Sequence, residues 1–182
     1  FDIVLGLQSN SSHMDNKKGN PMASKKQIAG IAVAVILAIA ATTYIFITPY
    51  NRIPGVRIGG TLTAPPADFT TIAERGVGTI KTGGFPPFVV HVSLVPFEGG
   101  FITASRPDGG YWSKRARIAP NGYARSGDMT FALKATELFG EDKYPYMRIW
   151  GGDDLDRTLT GGVIIGESEP LREWEVFIWT PR

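Results

Sequence analysis

Two groups of polar residues in this chain have the chemistry to hold a ligand. Ser105-Arg106 closes an apolar alternating run, and Tyr111-Trp112-Ser113-Lys114-Arg115 opens a short helical pattern, which would gather hydroxyl, ammonium and guanidinium groups beside free backbone N–H groups. Anions are favoured at helix N-termini and by charge-assisted hydrogen bonds, so the implied chemistry is phosphate binding. The competing reading is a basic helix facing solvent, in which Lys114, Arg115 and Arg117 are simply the densest cations of the domain. His91 is the only histidine after His13. With no second histidine and no cysteine, a zinc site or a triad lacks ligands, which leaves a hydrogen-bonded structural role or one facing a ligand. Gly151-Gly152-Asp153-Asp154-Leu155-Asp156 clusters three carboxylates but lacks the spacing and closing Glu of an EF-hand, so a solvated loop is preferred to a calcium site and no metal is assigned. No nucleophile elbow, HExxH, P-loop or paired-carboxylate pattern occurs, and no catalytic residue is assigned.

Those groups need elements to position them, and strand alternation supplies most. Strand side chains alternate with period two. In Phe88-Val89-Val90-His91-Val92-Ser93-Leu94-Val95 this places Phe88, Val90, Val92 and Leu94 on a core face and Val89, His91, Ser93 and Val95 on a mixed one. Phe101 to Ser105 repeats the habit, and Glu98-Gly99-Gly100 supplies a hairpin turn, because glycine accepts the positive φ such turns need. Met129 to Thr136 sends Met129, Phe131, Leu133 and Ala135 inward, and Gly127-Asp128 turns it back onto Tyr123 to Ser126. Gly78 to Thr82 is an earlier strand. Gly76-x-Gly78 lacks the third glycine and the helix of a dinucleotide loop and reads as a turn. Trp112 to Ala119 makes about two turns of helix before Pro120-Asn121-Gly122. A second short helix runs from Asp142, as N-cap, to Trp150, with Pro145 in its first turn. Trp174 to Trp179 is apolar on both faces, as a central strand would be. Short strands, frequent turn signals and few helices predict a mainly β domain, a sandwich or a small barrel.

The 182 residues, 43% hydrophobic, suffice for one domain with a sizeable core and an appendage. Ile28 to Ile47 contains no charge over 20 residues, about 30 Å of helix and the thickness of a bilayer's hydrocarbon core. It reads as a transmembrane helix rather than a core helix. It also exceeds the apolar stretch of a cleaved signal peptide, and no small-x-small site follows it. Tyr44 and Tyr50 suit the interface. Lys17, Lys18, Lys25 and Lys26 precede the helix, while only Arg52 and Arg57 follow closely, so the positive-inside rule puts the N-terminus in the cytoplasm and the remainder outside, in a periplasmic or other extracytoplasmic space. Ser11-Ser12-His13-Met14 resembles an expression-vector scar, and residues 1 to about 21 read as unstructured. Setting aside those four lysines, Asp2 and Asp15 leaves 15 basic and 15 acidic residues of the 19 and 17. A neutral domain does not suit nucleic acid. Zero cysteines excludes disulfides, thiolate metal sites and cysteine nucleophiles. The expected organisation is a cytoplasmic N-terminus over 1–27, a transmembrane helix over 28–47, a proline-marked linker arm over 48–68 and the β domain over 69–182.

The order of a strand, a Gly-Gly turn, a strand ending in Ser105, a Trp112-Ser113-Lys114-Arg115 helix start, a Pro120 turn and paired strands Tyr123 to Ser126 and Met129 to Thr136 resembles the flavin-binding split β-barrels of the pyridoxamine 5′-phosphate oxidase-like superfamily. The resemblance covers about Phe69 to Leu138, and Ile58-Gly59-Gly60 with Pro65-Pro66-Ala67-Asp68 looks like the leader of uncharacterised members. It implies a split β-barrel holding FMN or a deazaflavin at a dimer interface. His91 and Ser93 would lie beneath the ring, with Thr103, Ser105, Arg106, Ser113 and Lys114 around the phosphate and Arg115 in the same basic turn. The chain departs from that pattern in having His91 where an arginine is more usual, and in the longer turn Asp108-Gly109-Gly110. On this reading the protein is a membrane-anchored flavin-dependent reductase. A second reading is a cofactor-free accessory subunit of a membrane complex, with Trp150 and Trp179 exposed to pack on partners. A third is an extracytoplasmic haem or small-molecule binder with His91 as axial ligand. The partners expected are bilayer lipid around the helix and either a second copy or a membrane complex.

Overall fold

The computed structural model describes residues 24–50, 53–107, 109–159 and 169–182. Lys17, Lys18 and the scar-like Ser11-Ser12-His13-Met14 lie outside the described residues. The chain divides into two units at Ile39 and Ala40, inside its apolar helix. That helix, α1 (Lys25–Phe46), begins at a capping box: the Ser24 Oγ accepts from the Gln27 N–H (3.3 Å) and the Gln27 Oε1 accepts from the Ser24 N–H (2.8 Å). Its 22 residues span about 33 Å, none of its side chains is buried, and it is long and apolar enough to cross a membrane.

Beyond the helix the chain is mainly β. It runs through β1 (Thr61–Leu62), β2 (Gly76–Thr82), β3 (Phe88–Phe97), β4 (Gly100–Ser105), helix α2 (Tyr111–Ile118), β5 (Asn121–Ser126), β6 (Met129–Leu138) and helix α3 (Tyr144–Gly151). A two-stranded ribbon, β7 (Thr158–Leu159) with β8 (Glu169–Pro170), precedes the last strand, β9 (Glu175–Pro181). The main sheet is ordered β1-β6-β5-β2-β3-β4-β9, and β9 also pairs with β6. The strands from β6 through β9 therefore close a six-stranded barrel, and β1 adds to β6 in parallel. Closure explains the doubly apolar last strand. Lying between β4 and β6, β9 sends Phe177 and Trp179 into the barrel and Val176 to a second cluster with Ile102, Met147, Leu171 and Trp174.

The alternation expected in β3 is observed. Phe88, Val90, Val92 and Leu94 pack with the interior residues Ile80, Phe101, Phe131 and Leu133. The mixed face divides three ways: Val89 is buried where Gly55 pairs with it through two backbone hydrogen bonds (2.8 and 2.9 Å), Val95 joins the second cluster, and His91 and Ser93 are exposed. Phe69, on a single 3-10 turn capped by Asp68, plugs the barrel interior, its ring meeting Phe101 and Phe131 edge-on at 5.0 and 5.2 Å. Its N–H donates to the Glu98 carbonyl at the β3–β4 turn (3.3 Å). At the other end of the barrel, Trp112 and Ala116 of α2, one helical turn apart, close the core, with Trp112 5.2 Å from Phe177.

Four local expectations change. The 48–68 linker arm packs on the domain: between Pro54 and Pro65, where no proline removes an N–H, Thr61 and Leu62 pair with Met129 and Thr130. The Thr130 Oγ1 donates to the Gly59 carbonyl (2.8 Å), and the Arg125 Nη1 donates to the Ile58 carbonyl (3.1 Å). Gly76 and Gly78 lie in β2 rather than in a turn. A Cβ on Gly78 would stand 2.7 Å from Leu94 Cδ2, so that glycine serves close strand packing. Asp142 falls inside a 3-10 turn (Gly140–Lys143), and α3 takes Lys143 as its N-cap, with Pro145 in the first turn as expected. Trp179 is fully buried, because barrel closure turns it inward, and Trp150 is half-buried against Trp174, 5.5 Å between ring centroids.

Candidate functional site

Helix α2 has no side-chain N-cap, and the preceding loop is held by hydroxyls instead. The Ser105 Oγ at the end of β4 accepts from the Gly110 N–H (2.9 Å), and the buried Ser113 Oγ donates to the Gly110 carbonyl (2.8 Å). Glu175, across from Ser105 on β9, stands against the same loop. A methyl group on Gly109 would lie 3.2 Å from both the Glu175 Oε2 and the Ser113 Oγ. The pocket expected for a phosphate thus contains two hydroxyls bonded to their own loop and a carboxylate.

The cations of the turn diverge. Arg115 lies over the rings of Phe88 (5.6 Å) and Tyr111 (5.8 Å), and its Nη2 donates to the Gly83 and Pro86 carbonyls (3.0 and 2.6 Å). Arg106 donates to the Glu169 carboxylate (3.4 Å), and Lys114 is exposed. Arg117 donates its Nε and Nη2 to Glu137 (2.7 and 2.5 Å), reaches Glu175 at 2.6 Å and stacks 5.5 Å from the Phe177 ring. The hydrogen bond to Glu137, aided by Glu175 and opposed by partial burial, pushes its guanidinium pKa further up. A raised basic pKa stabilises the fold at every pH below the ordinary guanidinium range and fades only in strong alkali, so this contribution is constant across neutral pH. Because Arg117 is 34% exposed, solvent screens the triad. Arg117→Met is expected to lower stability by about 1–2 kcal/mol in urea titrations, with much of the loss restored when Glu137→Gln is added in a double-mutant cycle.

Thr103 is buried inside the barrel, where its Oγ1 accepts from the Trp179 Nε1–H (3.0 Å). His91 and Ser93 lie on the outer face of β3. Both His91 ring nitrogens have partners in the chain, Nδ1 with the Thr79 hydroxyl (3.3 Å) and Nε2 with the Pro49 carbonyl (3.2 Å), so the imidazole ties β2 and β3 to the segment after α1. The structure therefore brings Ser105 and Ser113 together at the Gly109–Gly110 loop, with Thr103 inside the barrel, Arg106 on Glu169, Arg115 over Phe88 and Tyr111, Lys114 exposed at the start of α2, and His91 and Ser93 on the outer face of β3. In the acidic loop, the Asp154 Oδ1 accepts from the Asp156 N–H (3.0 Å) and Asp156 pairs with Arg172; among the described residues no group of three His, Asp or Glu side chains gathers as a metal site.

Sequence reading missed the Arg117, Glu137 and Glu175 triad, whose members lie on three separated elements. It also missed a basic, aromatic groove on the outer face of β2 and β5. In β2 and β5, Lys81 and Tyr123 are cross-strand partners, with the ammonium 6.0 Å from the ring, and the Arg182 guanidinium lies 5.1 Å from the same ring. Arg57 lies over Phe46 at the end of α1, 5.6 Å from its ring. Alternation predicts Lys81 and Tyr123 outward, but only the fold puts Arg57 beside them. On another part of the surface, Phe85 (91% exposed), Ile118 (86%) and Tyr111 border an apolar hollow of about 230 Å³. A scan against protein-family models and a search of curated proteins return no match for this chain.

Proposed function

We propose that this is a single-pass membrane protein whose extracytoplasmic barrel is a non-catalytic accessory subunit of a membrane complex. The observation that carries this reading is the internal use of the basic turn. Ser105 and Ser113 bond to Gly110, Arg115 binds the Gly83 and Pro86 carbonyls, and Arg117 is held by two carboxylates, one of which faces the turn. A phosphate there would have to displace those bonds and approach Glu175. Lys17 and Lys18 ahead of α1 and Lys25 and Lys26 in its first turn support a cytoplasmic N-terminus. Exposed Phe85, Tyr111 and Ile118 provide apolar surface for a neighbouring subunit.

Closure of six strands with a helix between β4 and β5 supports the resemblance to split-barrel flavoproteins at the level of the fold, and a flavin reductase is therefore the reading to test against. The full chain, purified in mild detergent, should be colourless, take up no FMN and migrate in native electrophoresis within a complex containing other membrane subunits. Flavin absorption bands in the purified protein, weakened by Lys114→Ala, would overturn the accessory reading in favour of a redox enzyme.

A further inference from the structure

The groove beside the end of α1 has the chemistry of a lipid headgroup site. Two adjoining hollows, of about 420 and 230 Å³, share Ile58, Gly59 and Lys81. The larger is lined by Ile45 and Phe46 from the last turn of α1 and by Arg57; the smaller reaches Tyr123 on β5. All of these residues belong to the unit that begins at Ala40. Backbone bonds fix the geometry: the Val56 and Arg57 N–H groups both donate to the Ile47 carbonyl just past the helix end (2.7 and 3.0 Å), and Gly55 pairs with Val89. A Cβ on Gly55 would stand 2.3 Å from the Pro49 nitrogen, so the fold-back depends on that glycine.

The cations of this groove have no carboxylate partner: among the described residues none pairs with Arg57, Lys81 or Arg182, whereas Arg106, Arg117, Arg125 and Arg172 all have acidic partners. Arg57 and Lys81 instead lie over Phe46 and Tyr123, an apolar bed with the cationic heads left for an anion. The apolar wall is continuous with the exposed, membrane-length helix through Ile45 and Phe46. Any anion held there lies where acyl chains surround the helix end and headgroups begin.

We infer that Arg57 and Lys81 bind the phosphate of an anionic phospholipid of the leaflet next to the barrel, with its acyl chains against Ile45 and Phe46. This rests on α1 spanning a bilayer, and the test separates the two. The full chain is reconstituted into phosphatidylcholine vesicles with or without phosphatidylglycerol and floated through a density gradient. It is then released in mild detergent for native mass spectrometry of the retained lipid. Expected is flotation in both vesicles and retention of phosphatidylglycerol over phosphatidylcholine. That preference should fall about fivefold in Lys81→Gln or Arg57→Gln and about thirtyfold in the double variant, with flotation unchanged. Lys134→Gln, which removes an exposed cation on β6 outside the groove, should leave it unaltered. Flotation without any anionic preference, or a preference that survives the double variant, overturns the lipid site and leaves the anchor standing. Equal uptake of inorganic phosphate by the detergent-solubilised chain overturns the assignment to lipid. Failure to float overturns the anchor and this inference together.

Discussion

Gly100→Ala is expected to unfold the barrel, with a loss of about 4 kcal/mol or more in thermal melts followed by circular dichroism. Gly100 opens β4 at φ 152°, in the positive-φ range that L side chains rarely adopt. A Cβ there would stand 1.9 Å from the Trp179 carbonyl oxygen and 3.0 Å from its carbon. These are backbone atoms of β9, paired to β4 on one side and β6 on the other, so neither can retreat without opening the barrel. The adjacent Gly99→Ala is the control. Its Cβ would meet only the Phe97 ring edge, at 2.9 Å, and a side chain can move, so about 1 kcal/mol or less is expected. A Gly100→Ala protein as stable as the Gly99→Ala protein would mean that β9 does not close the sheet at this point.

Trp179→Ala is the second large effect, about 3–5 kcal/mol. Trp179 is the largest fully buried side chain, and it adds a directed bond to its packing: the Nε1–H donates to Thr103 inside the barrel. Truncation leaves a large cavity and a buried hydroxyl without its donor. The two terms can be separated. Trp179→Phe keeps part of the volume and loses the donor, while Thr103→Val keeps the volume and orphans the indole N–H, so each should cost about 1–3 kcal/mol. Combined, these two should cost less than their sum, because they remove the same bond. Strict additivity would show that the Trp179 and Thr103 bond does not form.

Alternation made much of the barrel legible. Phe88 to Leu94, Met129 to Ala135 and the doubly apolar β9 needed only the period of a strand, because a buried face must be apolar at every second residue. Turns were legible where one residue decided them, as Gly127 does at φ 55° between β5 and β6. The candidate site was less so. Ser105 and Ser113 do meet at one loop, but whether Arg115 and Arg117 faced that loop depended on carbonyls at Gly83 and Pro86 and carboxylates at Glu137 and Glu175. Local spacing carries no information about partners on other strands.

By itself the sequence determined the long uncharged helix, the inward faces of the strands and the place of α2 between two pairs of strands. Each follows from interactions within a few residues: hydrophobic run length, side-chain period and glycine turns. Only the tertiary structure decided that β9 returns to β6 to close the barrel, that the 48–68 arm straps onto β6, that Thr103 and Trp179 face each other inside, and that Arg57 comes to rest beside Lys81. Those outcomes join residues tens of positions apart, and their free energy comes from closing the sheet's edges and burying a shared core, terms that no short window of sequence contains.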